Sequence, residues 1–220
     1  MKKLIKTGIL IGLVLFGLKN LNQDSFKSTK NCTYMIGSEN ILVINKHNKI
    51  DKNFVPNNLI EPSIPFNDGV ENEEKLVEKE VAVSLEKLFK DAENAGIFLL
   101  GNSGYRSFEL QDKTYKNRIL SEGKDMADKY VAKPGQSEHQ TGLAMDVTNK
   151  ANYFTEDTKE AMWISENAHK YGFIIRYQKG KEYITGCNYE PWHLRYVGKK
   201  IATNMHENNL VLEEYIENEN

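Results

Sequence analysis

Two short segments of this chain hold residues that could do chemistry together. The first runs from Pro134 to Asp146, Pro-Gly-Gln-Ser-Glu-His-Gln-Thr-Gly-Leu-Ala-Met-Asp, and sets His139 and Asp146 seven positions apart. The second is Glu190-Pro191-Trp192-His193. Taken singly, each of these side chains is ordinary, since a lone aspartate is usually a cap or a surface acid. Taken together they match a known requirement. A catalytic zinc site uses three ligands drawn from histidines and carboxylates and leaves one position for water. His139, Asp146 and His193 fill that count for one Zn2+ per chain. Glu190 is then left over to accept the water's proton and return it to a leaving amine.

These residues need elements that bring them to one place. Pro134-Gly135 and Gly142 argue against one continuous helix, so the first segment is expected to be a loop that enters a strand over Leu143–Val147. On that strand Gly142, Ala144 and Asp146 would share a face, and two small residues would leave room for a metal. His139 would reach the same place from the loop. On a regular strand Glu190 and His193 would point to opposite faces. Pro191 forbids a regular central ladder, so a bend is expected to bring the two together.

Further out, the apolar pattern supplies the scaffold. Ile41 to Ile44 reads as a short strand, and Pro56, Pro62 and Pro65 punctuate an extended segment. Glu73 to Ala95 carries Leu76, Val77, Val81, Leu85, Leu88 and Phe89 at helical spacing, with Gly96 placed to end it. A buried strand is expected over Ile97–Leu100, and helices over Glu109–Leu120 and Glu122–Val131. Thr155 is expected to cap a helix running to Lys170, with Gly172 ending it. Phe173–Tyr177 and Lys181–Ile184 read as strands joined by a Lys179-Gly180 turn, and Val197–Ile216 as a terminal helix. Helices and strands mix without a βαβ rhythm. The expected class is therefore α+β: one domain with a small, mostly antiparallel sheet carrying the zinc site, flanked by helices.

The chain has 220 residues and a formal net charge of −2, with acids and bases mixed along its length. That suits one medium domain and excludes a dedicated nucleic-acid surface, since no block of Lys and Arg appears. No internal repeats are apparent. The N-terminus stands apart. Met1-Lys2-Lys3 precedes an uncharged run from Thr7 to Leu18, which as a helix would reach about 18 Å against a hydrocarbon core of about 30 Å. Residues 1–20 are expected to be a signal peptide or a membrane anchor, 21–40 a linker, and 41–216 the domain that carries the zinc site. No clear small-x-small cleavage site precedes Lys30. Cys32 and Cys187 lie too far apart in sequence to imply a disulfide.

At this point the sequence resembles a family. Ser137-x-His139-x-x-Gly142-x-Ala144-x-Asp146, followed by Glu190-Pro191-Trp192-His193, is similar to the D-alanyl-D-alanine carboxypeptidases of the zinc metallopeptidases, the VanY-type enzymes. Ser103-Gly104-Tyr105-Arg106-Ser107 with Gln111, and Tyr189 through Gly198, fit the same pattern. The resemblance covers about Ile41 to Gly198. It implies His139, Asp146 and His193 as zinc ligands and Glu190 as general base and acid. It implies Arg106 as the group that holds a polarised carbonyl or the substrate carboxylate, and Ser137 and Gln111 as lining of the substrate site. A guanidinium suits the task, being always charged and able to grip a carboxylate with two bonds. Trp192 is expected beside the site as packing, and Ser137 as a hydrogen-bonding residue, not a nucleophile. Cys187 stands where close relatives are expected to carry Tyr.

The activity expected from the resemblance is removal of a terminal D-alanine from peptidoglycan stem peptides or precursors, as a D,D- or L,D-carboxypeptidase. The alternatives are an endopeptidase cutting cross-links and, ranked last, a non-catalytic cell-wall-binding module, because all three ligands and Glu190 are present. The enzyme is expected outside the cytoplasm, as a monomer touching membrane only through its N-terminal segment.

Overall fold

The computed structural model describes residues 32–36 and 39–219. The expected signal or anchor segment lies outside the described residues. Among those described, no helix is long and apolar enough to cross a membrane.

The chain begins with a hairpin of β1 (Thr33–Ile36) and β2 (Glu39–Leu42), paired antiparallel from Thr33↔Leu42 to Ile36↔Glu39. β1 therefore lies inside the stretch read from sequence as linker. An extended segment follows and contributes β3 (Leu59–Ile60), which pairs with β4 (Val77–Glu78). Helix α1 (Lys79–Asn94) buries Val81, Ala82, Leu85, Leu88, Phe89 and Ala92. The spacing of these residues puts them on one stripe of the helix. The periodic segment beginning at Glu73 is thus not helical throughout. Glu73–Lys75 makes one 3-10 turn. The chain then extends so that Val77, fully buried, can pair with Ile60.

β5 (Leu100–Ser103), β6 (Ala144–Thr148), β7 (Phe173–Tyr177) and β8 (Glu190–Tyr196) form the main sheet in the order β5-β6-β8-β7, every pairing antiparallel. Helices α2 (Phe108–Glu122) and α3 (Lys124–Tyr130) lie between β5 and β6 in sequence, and α4 (Lys159–Asn167) lies between β6 and β7. The two-residue alternation of strands sorts the sheet's side chains. Met145, Val147, Phe173 and Leu194 join the stripe of α1 in the larger apolar core. The opposite face of the same strands carries Asp146, Arg176, His193 and Arg195. A smaller core gathers Ile36, Ile41 and Val43 with Ile174, Ile201, Met205 and Leu212.

Three expectations are corrected. Lys181–Ile184 is not a strand: α5 (Glu182–Thr185) is one helical turn, with Ile184 and Thr185 both donating to the Lys181 carbonyl. Four residues of mixed polarity give no period that separates the two forms. The terminal helix is two helices, α6 (Lys199–Glu207) and α7 (Leu212–Glu219), broken at Asn209, whose φ of 51° is left-handed. Asn tolerates that geometry, and the break folds Leu212, Tyr215 and Ile216 back onto Ile201 and Met205. The cap of α4 is Thr158, whose hydroxyl accepts from the Ala161 amide, and not Thr155. Two further boundaries differ by three residues each. The strand expected at 97–100 is found at Leu100–Ser103. The helix expected to reach Lys170 ends at Asn167 and continues as a 3-10 turn, Ala168–Tyr171.

Candidate active site

β6 and β8 are hydrogen-bonded neighbours, and their register sets Asp146 directly opposite His193. His139 arrives from the loop before β6, in a 3-10 turn spanning Glu138–Thr141. Ser137 opens that turn by accepting from the His139 amide at 3.4 Å. Gly142 closes it at a φ of 68°, a conformation that glycine adopts without the cost of a Cβ. The expectation that Gly142 leaves room for a metal is therefore corrected. It is a turn residue, and a Cβ there would meet Leu59 and the Glu78 backbone, not the ligand side chains.

The Glu190 strand also resolves differently from the simple bend. β8 is central in the sheet, but Ile175↔Leu194 is followed by Tyr177↔Glu190, so the ladder is irregular just where Pro191 lies. A bulge of this kind is where a sheet accommodates proline. It also breaks strict alternation, so that Glu190 and His193 face one space, with Glu190 Oε2 4.0 Å from His193 Nδ1.

Ligand atoms of His139, Asp146 and His193 all lie within 4.8 Å of one another. The contacts of the two rings show which nitrogens face inward. His139 Nδ1 lies 2.7 Å from the Gly104 carbonyl, which can only accept. Nδ1 therefore carries the proton, and the Nε2 lone pair faces Asp146 Oδ2 at 3.4 Å. His193 Nε2 lies 3.4 Å from Glu138 Oε2. Donation there leaves Nδ1 facing Asp146 Oδ1 at 2.9 Å, yet that buried oxygen has no hydrogen-bond partner. Two imidazole nitrogens and a carboxylate oxygen without a hydrogen bond converge, which is what a tetrahedral, water-accepting zinc site asks of its protein.

Without the charge of a metal, the electrostatics separate the members of the site. Burial lowers His139 to about 4, with the Arg106 guanidinium adding to the effect. Burial alone would lower His193 too, but the carboxylates of Asp146 and Glu138 overcome it and hold the ring up to about 9. Asp146 acts on both rings; the two histidines differ because Arg106 opposes the charge of His139, whereas Glu138 adds to Asp146 at His193. Asp146 is opposed by burial but held well below the carboxylate range by the two rings. Glu190 goes the other way: burial raises it to about 7, with Asp146 adding and His193 and Arg106 opposing. A carboxyl group poised near neutrality can both take and return a proton.

All eight site residues expected from sequence line one cavity of about 570 Å³: Arg106, Gln111, Ser137, His139, Asp146, Glu190, Trp192 and His193. Arg106 follows β5 and precedes α2, 3.9 Å from Glu74, and its Nε is buried without a hydrogen-bond partner. Gln111 donates to the Ala132 carbonyl at 2.7 Å, while its Oε1 is buried and unpartnered. Tyr177 and Cys187 complete one wall; Cys187 and Cys32 are both free thiols. The sequence reading did not single out Tyr177, Arg176 or Arg195. Glu138 is buried.

Residues 74–199 match the family described as VanY, D-alanyl-D-alanine carboxypeptidase. The chain belongs to the VanY family. It is 40% identical over 208 residues to the YodJ protein of Bacillus subtilis (strain 168), covering 92% of this chain and 76% of that one. Among solved structures it is similar to the LD-carboxypeptidase LdcB, with a TM-score of 0.74 and 39% identity over 84% of this chain and 92% of the other. It is also similar to a VanY D,D-pentapeptidase from a VanB-type vancomycin resistance cassette in complex with Zn(II), with a TM-score of 0.68 and 32% identity over 80% of this chain and 97% of the other. As a VanY-family protein the chain is a zinc-dependent carboxypeptidase, and His139, Asp146 and His193 form the group able to hold its metal.

Proposed function

We propose that this VanY-family enzyme removes the terminal D-alanine of peptidoglycan stem peptides, with Glu190 as proton carrier and Arg106 as the clamp on the substrate's terminal carboxylate. The observation that carries this reading is the pairing, in one cavity, of the converging ligand set with the Arg106 guanidinium and with Gln111, whose buried Oε1 has no hydrogen-bond partner. A guanidinium suits a terminal carboxylate, which it can grip with two bonds. A free amide oxygen suits a substrate N–H. The guanidinium implies a peptide whose charged end is held, which favours a carboxypeptidase over an endopeptidase.

In this reading His139, Asp146 and His193 hold zinc, which supplies a Lewis-acid charge that polarises the scissile carbonyl and makes water more acidic. Glu190 takes the proton of the attacking water at its carboxylate and delivers it to the departing amine of D-alanine. Arg106 fixes the carboxylate end and with it the carbonyl's place relative to Glu190. Ser137 holds the His139 turn, and Trp192 closes the wall beside Glu190. The same reading places the domain outside the cytoplasm, as a monomer, with residues 1–20 as signal or anchor and 21–40 as connection.

The test is incubation of the purified domain, with and without zinc, with tetrapeptide and pentapeptide stems, followed by mass analysis. Zinc-dependent loss of one terminal alanine from either stem is expected, and the preferred stem separates L,D- from D,D-activity. Cleavage only within cross-linked dimers would overturn the carboxypeptidase reading.

A further inference from the structure

Behind the ligand set lies a buried charge cluster that the proposed mechanism does not use. Glu138 neighbours the ligand His139 in sequence, but its side chain turns away and meets His193 instead, with Oε2 3.4 Å from Nε2. Its other oxygen, Oε1, accepts from Arg176 Nε at 2.8 Å and from Arg195 Nη1 at 2.7 Å. Arg176 stands on β7 and Arg195 on β8, and both are fully buried. Arg176 is held from its far side by Glu213 of α7, at 2.6 and 2.9 Å. Arg195 also donates to the Leu42 carbonyl of β2.

Two glutamates and two arginines make the cluster formally neutral. Burying such a set gains little stability over well-packed apolar residues, because desolvation of the ions offsets their attraction. What the cluster does supply is direction. Arg176 and Arg195 occupy Oε1 from two adjacent strands, which leaves Oε2 aimed at a single ring nitrogen.

We propose that Glu138 is a positioning residue of the metal centre, gripped by Arg176 and Arg195 so that its Oε2 fixes the ring of His193 with Nδ1 turned toward Asp146. A carboxylate on the outer nitrogen of a ligating histidine selects the tautomer, orients the ring and strengthens it as a donor. His139 has a backbone carbonyl in the equivalent place, Gly104. The two histidines thus enter the site through different nitrogens, Nε2 of His139 and Nδ1 of His193, and each is locked from behind. This inference rests on zinc binding at His139, Asp146 and His193.

The test compares wild type with Glu138→Gln and, as control, Glu213→Gln, which loosens the cluster without touching His193. Zinc affinity is measured by competition with a chelator, and the visible spectrum is recorded after cobalt substitution. Glu138→Gln is expected to weaken zinc binding about 10–100-fold and to shift the cobalt bands, while Glu213→Gln stays within about threefold of wild type. Equal affinity in Glu138→Gln and wild type, or an equal loss in both variants, would overturn the proposal. A wild-type protein that does not bind zinc tightly would instead overturn the metal reading beneath it. Should Glu138→Gln fail to fold, nitrogen NMR of the zinc-loaded wild type decides. A proton on His193 Nε2 supports the proposal; a proton on Nδ1 refutes it.

Discussion

Replacing Glu190 by Gln should make the zinc-free protein more stable while disabling it. The side chain is only 14% exposed, and its carboxyl group loses its proton near 7, not near the ordinary 4.5, chiefly because burial penalises the charge. Between those two values the folded chain holds a proton that the unfolded chain has released. Unfolding free energy therefore falls as pH rises from about 4.5 to about 7 and is flat beyond. At about 1.4 kcal/mol for each pH unit, the ionised carboxylate costs the fold about 3 kcal/mol above neutrality. Gln has nearly the same shape and never ionises, so it removes that cost. The assay is urea unfolding of chelated wild type and Glu190→Gln at pH 5 and pH 8. The variant's advantage should be larger at pH 8 by about 2–3 kcal/mol. Adding zinc should narrow the gap, since a dication beside the carboxylate favours its charged form. In parallel, turnover with zinc should fall about 10²–10⁴-fold. An advantage that does not grow with pH, or a variant less stable at pH 8, would refute the argument that burial raises this group.

The ligand variants His139→Ala, Asp146→Ala and His193→Ala should each lose zinc and activity together, because fewer than three strong ligands do not fix a catalytic site; full zinc occupancy by metal analysis in two of them would sink the assignment. Arg106→Ala should keep its zinc but raise KM, lower kcat, or both, and unchanged kinetics on a stem peptide would remove the clamp. The run from Thr7 to Leu18 should direct the domain out of the cytoplasm with the N-terminus inside, given Lys2 and Lys3; full-length protein recovered in the cytosol, protected from external protease, would contradict this.

Which parts were legible in the sequence follows from how local their causes are. The stripe of α1 was readable because Val81, Leu85, Leu88 and Phe89 repeat at the helical period and all bury. The break at Asn209 was not, because little beyond the Asn208-Asn209 pair marks it in Val197–Ile216, and the fold back onto Ile201 is a tertiary gain. The ligand residues were legible as a set of types and spacings. Their cooperation was not, because it depends on β6 and β8 being neighbours in register, with Asp146 opposite His193.

Glu138 shows the same limit most sharply. In sequence it is one acidic residue beside a histidine, and an acid in a polar loop is usually solvated. Only the juxtaposition of three strands changes that reading. β7 and β8 bring Arg176 and Arg195 beneath the turn, and burial of a carboxylate becomes tolerable because two guanidinium groups meet it. Burial alone would raise Glu138, yet those two cations hold it below the ordinary carboxylate range. The charge that Arg176 and Arg195 keep in place is the one that faces His193. Pro191 completes the logic from the other end of the strand. By disrupting the ladder between Ile175 and Tyr177 it lets Glu190 share a face with His193, which strict alternation would forbid. The proposed proton carrier and the ligand therefore stand three residues apart on one strand because the strand is imperfect, while the charge network behind the ligand fixes its ring.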